Sequence, residues 1–336
     1  MGFETKTQLH ILAKEIAKET NFILGKEIYR GTYYSANNIR NLIFTGKYKN
    51  KPAVLKIYDD PRLTDEPVSQ ITFNRLNKSR ILTAPKVYAH KIISPKEGWL
   101  IMEKLPEDGA FFTQPVKDKK EFADLYLEYR MSFPLKSTRP LVLAENLPAD
   151  EFHIFRISRW LELANAKESS AILIGEKPLL DPNKFIPRFK TALSVIRKEF
   201  KKRKMIWCHG HFKPHELFKT ADRKMYYLTD FAHSKMYPEG YEFGFIIWAD
   251  WLMYADWKLS YSEWKRGVKD WLGVLRPIAR KIGIKDFNNL MKASLVERII
   301  GMILADICAS ERPVGEKRKR IDLAYHLLDD IFKKKI

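Results

Sequence analysis

Lys56, His209, His211, Glu216 and Asp230 are the residues of this sequence whose types and settings could do chemistry. Lys56 lies in Ala53-Val54-Leu55-Lys56-Ile57, an alternating strand pattern. His209-Gly210-His211-Phe212-Lys213-Pro214-His215-Glu216-Leu217-Phe218 is a polar loop entered from the short apolar run Met205-Ile206-Trp207-Cys208. Asp230 sits in Leu228-Thr229-Asp230-Phe231-Ala232, nineteen residues after His211. An ammonium can hold phosphate oxygens, carboxylates are hard oxygen ligands suited to magnesium, and an imidazole can accept a hydroxyl proton. Phosphoryl transfer needs those three functions and little covalent work from the protein.

The elements that would position these residues fall into two kinds. A leading helix over 5–20 is expected from the apolar face Leu9, Leu12, Ala13, Ile16 and Ala17. Strand patterns follow at 26–34, 39–48 and 52–58, separated by Ser35-Ala36-Asn37-Asn38 and Lys49-Asn50-Lys51. A helix over about 66–79, a strand from Pro85-Lys86-Val87-Tyr88 and an apolar strand at 98–103 complete the first part. Beyond Pro106 the periodicity predicts helices near 118–132, 150–166, 183–203, 241–257, 261–282, 286–309 and 317–334. They are interrupted by a small hairpin, Leu217 to Thr220 with Lys224 to Thr229, that would carry the carboxylates. The expected class is α+β with a small antiparallel sheet and a larger, mainly helical part. The expected division is an extension at 1–22, a sheet lobe at 23–104 and a helical lobe at 105–336, with a seam at 103–109.

In this order and setting the motifs resemble the aminoglycoside phosphotransferase and choline kinase family, which has a protein-kinase-like two-lobed fold, over about residues 23–260. Lys56 resembles the strand lysine that pairs with nucleotide phosphates. His209-Gly210-His211 and Pro214 resemble the catalytic loop, which in that family reads His-Gly-Asp, four variable residues, then Asn. Asp230 stands where the family has its Asp-Phe-Gly metal site. The resemblance implies an ATP- and magnesium-dependent transfer of phosphate to a small-molecule hydroxyl. It further implies that Met102-Glu103-Lys104-Leu105 is a hinge whose backbone, at Glu103 and Leu105, binds adenine. His209 would stabilise the loop, and Glu242, in Tyr241-Glu242-Phe243, would brace it.

Two functional positions depart from the pattern. His211 replaces the catalytic aspartate, and an imidazole, ordinarily titrating near pH ~6.5, can still act as a base. Glu216 replaces the metal-binding asparagine and keeps a hard oxygen donor. The helix glutamate that orients the strand lysine has no obvious equivalent: Gln70 occupies the expected offset, with Glu66 one turn earlier. The first strand connection is not glycine-rich, and Ser35 and Asn38 are its candidates for phosphate contact. A protein with these changes could equally bind nucleotide, or serve as a scaffold, without transferring phosphate.

Composition narrows the alternatives. The chain has 336 residues, 45% of them hydrophobic, which is enough for one large core or two moderate ones. No apolar run reaches the eighteen or so residues of a spanning helix, and the first residues lack the pattern of a signal peptide, so a cytoplasmic location without a transmembrane segment is expected. Two cysteines, Cys208 and Cys308, suggest neither a disulfide framework nor a metal set. The formal charge of +19 gathers at 117–120, 197–204, 317–320 and 333–335, a solvated surface that could also dock an anionic partner such as RNA or a lipid surface. Tyr237, Tyr241, Trp248, Trp251, Tyr254 and Trp257, interleaved with Glu239, Asp250 and Asp256, could line a pocket for a cationic amine, or be a buried helix. His153, His215 and His233 are assigned no chemistry.

Overall fold

The computed structural model describes residues 2–32, 39–61, 63–133, 147–254, 256–309 and 312–336, with side chains from Gln8 onward. In chain order the elements are α1 (Gly2–Thr20), β1 (Phe22–Thr32), β2 (Ile39–Tyr48), β3 (Lys51–Asp59), α2 (Glu66–Leu76), β4 (Leu82–Thr83), β5 (Val87–Ile92), β6 (Glu97–Glu103) and β7 (Ala110–Phe111). Then come α3 (Lys119–Ser132), α4 (Ala149–Leu173), α5 (Pro182–Phe200), β8 (Met205–Cys208), β9 (Leu217–Lys219), β10 (Tyr226–Leu228) and β11 (Lys235–Pro238). Helices α6 (Tyr241–Ile247), α7 (Tyr261–Lys281), α8 (Phe287–Cys308) and α9 (Val314–Phe332) follow. They group into two units, Met1–Phe112 with Glu128–Ala144 and His215–Lys235, and Thr113–Leu127 with Glu145–Pro214 and Met236–Ile336.

The first unit is built on an antiparallel sheet of order β1-β2-β3-β6-β5. Successive strand residues face opposite sides, so Leu55 and Ile57 of β3 go to one face and Lys56 and Tyr58 to the other. On the first face Leu9, Ala13 and Ile16 of α1 pack against Leu42, Phe44, Leu55, Ile57, Trp99 and Ile101. On the second face Tyr58, Leu63, Leu100 and Ala232 form a smaller cluster. Lys56 therefore points into a buried polar layer because its neighbours have committed the other face to the apolar core. The hairpin β9–β10 belongs to this unit: β10 runs parallel to β4, pairing Tyr226 with Leu82, and β9 pairs with β7 at Phe218 and Phe111. Phe231, just after the hairpin, packs on Phe73 of α2, which also meets Tyr129 and Phe133.

The second unit is helical around α8, whose residues from Met291 to Ile307 are mostly buried. Ser260 caps α7 through a reciprocal bond with Glu263, which satisfies backbone donors at the helix start. The helix expected over 241–257 ends at Ile247 and continues as one π-helical turn over Trp248–Leu252. No described helix is long and apolar enough to cross a membrane.

The basic cluster at 317–320 is only partly surface. Lys317 is buried with its ammonium on the Ile307 carbonyl, and Arg320 is buried against Asp306 at 2.8 Å and stands over the Trp264 ring. Both were expected in solvent; their place on the inner face of α9 gives each a partner that offsets its desolvation.

Candidate active site

In the sheet unit Lys56 Nζ donates to Glu66 Oε2 at 2.5 Å and lies 3.7 Å from Asp230 Oδ1. Glu66 is the first residue of α2, followed by Pro67, whose fixed φ suits a helix start. The ammonium and the Glu66 carboxylate are almost fully buried, while about a quarter of the Asp230 side chain is exposed. Burial alone would lower the lysine, but Glu66, Asp230 and Glu216 together hold it above its ordinary value. Burial likewise pushes Glu66 up, Lys56 pulls it down, and Asp230 pushes it up again, with a net rise. The Glu66 rise comes first from burial, while the Lys56 rise reflects three carboxylates around one ammonium.

Gln70, expected opposite Lys56, lies elsewhere. Its amide donates to the Pro85 carbonyl at 2.6 Å and approaches Met102 sulfur at 3.7 Å. It is on the same face of α2 as Glu66 but one turn further on, where the neighbour is the chain entering β5 rather than β3. The charged residue at the helix start takes the lysine, since a buried ammonium is better compensated by a carboxylate than by an amide.

The hairpin fixes the other two carboxylates. Thr229 donates from its backbone to the Glu216 carbonyl at 2.8 Å and from its hydroxyl to Glu216 Oε2 at 3.2 Å, so both ends of the hairpin are tied together. Asp230 has φ 58° and ψ 60°, left-handed backbone that costs a non-glycine residue of order 1 kcal/mol. The fit of Phe231 against Phe73 holds that turn in place. Carboxylate oxygens in negative excess, two of them on one short hairpin, are a donor set that could hold a hard divalent cation.

In the helical unit the loop after β8 is braced by one acid. Glu242, near the start of α6 and 1% exposed, accepts from the Gly210 backbone N–H at 3.0 Å and from the Tyr126 hydroxyl at 3.2 Å. Gly210 has φ 83°, which turns the loop back toward that carboxylate. Phe212 is clamped edge-on by Phe122 and Tyr126. His209 is fully buried, and the half-buried His211 stacks on Phe245 at 4.9 Å with planes 13° apart.

Comparison with known proteins rests on structure, since no family model and no curated protein matches the sequence. A thermostable mutant of aminoglycoside phosphotransferase APH(4)-Ia, crystallised with ADP and hygromycin B, superposes with a TM-score of 0.58 at 12% identity, over 95% of this chain and 97% of its own. An ethanolamine kinase from Plasmodium vivax gives 0.57 at 17% identity, over 93% and 84%. Choline kinase LicA from Streptococcus pneumoniae gives 0.54 at 14% identity, over 96% and 99%. The chain has the aminoglycoside phosphotransferase and choline kinase fold.

Within this phosphotransferase fold the remaining residues singled out in the sequence fall in different places. Glu103 ends β6, where its backbone N–H donates to the Lys86 carbonyl at 2.8 Å and its carboxylate accepts from the Lys86 N–H at 3.0 Å. Leu105 follows in the connection after the strand. Ser35 and Asn38 lie outside the described residues. Of the acids in the 237–257 stretch, Glu239 and Asp250 are bonded within the helical unit and Asp256 is an exposed turn residue. Glu239 pairs with Arg203 and Lys204, Asp250 accepts from the Val116 N–H and the Trp271 indole, and Asp256 accepts from the Lys258 N–H. Tyr237 and Tyr241 are core residues, while Trp248, Trp251 and Trp257 are partly buried and Tyr254 is exposed. Glu66 is the site residue that sequence reasoning left unplaced; a glutamate beside a proline at a helix start, ten residues after the strand lysine, was the available signal.

Proposed function

We propose that this chain is an ATP- and magnesium-dependent phosphotransferase that acts on the hydroxyl of a small molecule. The observation that carries the reading is the cluster of the buried Lys56 and Glu66 with Asp230, partly open to solvent, and Glu216. A lysine held in place by one carboxylate can reach phosphate oxygens, while Asp230 and Glu216 would hold magnesium, which when bound offsets charge on those phosphates. The ADP in the APH(4)-Ia complex, which shares this fold, supports nucleotide binding. Glu103 and Leu105 would offer backbone groups to adenine, and Ser35 a hydroxyl to phosphate. Gln70 is left with a packing role.

In the helical unit His211 takes the acceptor-facing role. Its ring stacks on Phe245, and its loop is fixed through Gly210 by Glu242, with His209 of the same loop fully buried. A neutral imidazole there can accept the hydroxyl proton that the family's aspartate would accept or orient. A second reading is favoured by the same substitution: a nucleotide-binding protein that transfers nothing, because histidine has replaced the loop aspartate. A cytoplasmic location belongs to both readings.

The test is calorimetric titration of ATP with and without magnesium, on wild type and Asp230→Ala, followed by ATP turnover across a panel of hydroxyl acceptors. Magnesium-dependent binding abolished by Asp230→Ala, together with acceptor-stimulated turnover lost in His211→Ala, supports the enzyme. Binding without turnover across the panel supports the second reading. Absence of magnesium-dependent binding defeats both.

A further inference from the structure

We infer that the acceptor carries an anionic group, a phosphate ester or a carboxylate, bound by Arg298 of α8 and Arg156 of α4. This deepens the phosphotransferase reading and rests on it for the word acceptor. The site itself rests on the helical unit alone.

Arg298 is 3% exposed, and its guanidinium lies over three aromatic faces, 4.2 Å from Tyr241, 5.0 Å from Phe245 and 5.8 Å from Trp248. Its Nε sits 3.4 Å from Glu297, and its Nη2 has no hydrogen-bond partner among the described residues. A buried N–H left unpaired is costly, whereas a planar guanidinium with a spare donor matches a carboxylate or phosphoryl group. Arg156 donates to the same Glu297 through Nε at 2.7 Å, and a quarter of its side chain remains open to solvent. It also stands 5.8 Å over Tyr241.

Two arginines share a single carboxylate. Glu297 is fully buried, and although burial pushes it up, the two guanidiniums hold it well below the usual carboxylate range. His153, beside it, is pushed down by burial and is neutral near pH 7. The cluster of Arg156, Arg298, Glu297 and His153 thus keeps one positive charge in excess. That charge stands one ring from the catalytic-loop position, because Phe245 has His211 stacked on it and Arg298 against it. Two acids that could have made this region attractive to an amine are bonded elsewhere: Glu239 to Arg203, and Asp250 to the Val116 N–H and the Trp271 indole.

The experiment is calorimetric titration of metal-free, nucleotide-free protein with inorganic phosphate, glycolate and ethanolamine. It compares wild type with Arg298→Lys, which keeps the charge but loses the fork, and with Arg156→Gln, where partial exposure limits damage to folding. Anion binding should weaken by at least ~10-fold in each variant, the loss of about one charged hydrogen bond. Preference for phosphate over glycolate identifies a phosphoryl-bearing acceptor, the reverse a carboxylate-bearing one, and ethanolamine should not bind. Anion binding that is absent from wild type, or unchanged in Arg156→Gln, overturns the inference. Magnesium–ATP binding measured on the same samples separates the two proposals. If it persists while anion binding fails, only the acceptor class falls; if it is absent while anion binding follows the arginines, the phosphotransferase reading falls instead.

Discussion

Replacing Lys56 by methionine keeps the bulk of the side chain and removes the ammonium that faces Glu66 at 2.5 Å and Asp230 at 3.7 Å. Breaking a buried ion pair from one side costs roughly 3–5 kcal/mol, because the remaining charge stays desolvated. Glu66, at 1% exposure, has a way out: it can take up a proton. At pH 7, protonating a carboxyl whose unfolded value is about 4.3 costs about 3.7 kcal/mol, which caps the damage. In the variant the folded Glu66 is protonated over a range of pH where the unfolded one is not. The folded state then binds more protons, and stability falls as pH rises above about 4.3. The cost should shrink on acidification, by at most about 1.4 kcal/mol per pH unit, because the wild-type Glu66 is itself raised and begins to protonate in the same direction. Urea denaturation of wild type and Lys56→Met at pH 5, 6 and 7 reads this directly. A pH-independent loss would refute the reasoning, as would failure of the double variant with Glu66→Gln to recover most of the stability at pH 7.

Other outcomes follow from the same geometry. Asp230→Asn should weaken magnesium–ATP binding at least ~10-fold in calorimetry while leaving the circular dichroism spectrum unchanged, since the αL turn tolerates asparagine. Gly210→Ala, at φ 83°, should cost about 1–2 kcal/mol in chemical denaturation. Phe231→Ala, which empties a contact with Phe73 at 5.1 Å between ring centroids, should cost about 3–5 kcal/mol. The Glu297 carboxyl is held low in the fold, so its contribution is present above about pH 4.3 and is lost as pH falls below that; an acid titration followed by tryptophan fluorescence should show a transition that Arg156→Gln moves to higher pH.

Much of the frame was legible because periodicity reports burial directly. The strand at 39–48, the hairpin and most helices lie within a few residues of where the apolar spacing put them. The first strand starts at Phe22, not Lys26, because Phe22 packs into the core that α1 shares with the sheet. Helix α2 stops at Leu76: Asn77 accepts from the Ser79 N–H, a local side-chain turn that competes with the helix. Helix α4 continues to Leu173 through a polar stretch with no periodic signal, since an exposed helix end needs no apolar face. Lys56, Glu216 and Asp230, singled out from motif and spacing, lie together in the fold. The Lys56–Glu66 pair was not legible in the sequence, because the choice between Glu66 and Gln70 depends on which neighbour each turn of α2 meets. The arginine cluster carried little signal: Glu297 and Arg298 are adjacent, but Arg156 is 142 positions from Arg298, and only the packing of α4 against α8 brings it to them.

The pairing of β10 with β4, and of Phe231 with Phe73, bears on how the chain is made. Lysine and helix emerge from the ribosome early, but the strand and ring that complete their surroundings are translated some 150 residues later. Until then the Phe73 side of α2 is only partly covered, by Tyr129 and Phe133, and the Phe231 ring that completes its packing does not yet exist. Protection of that early segment falls to chaperones or to speed of synthesis, and substitutions near Phe231 should show up as low yield before they show up as low activity.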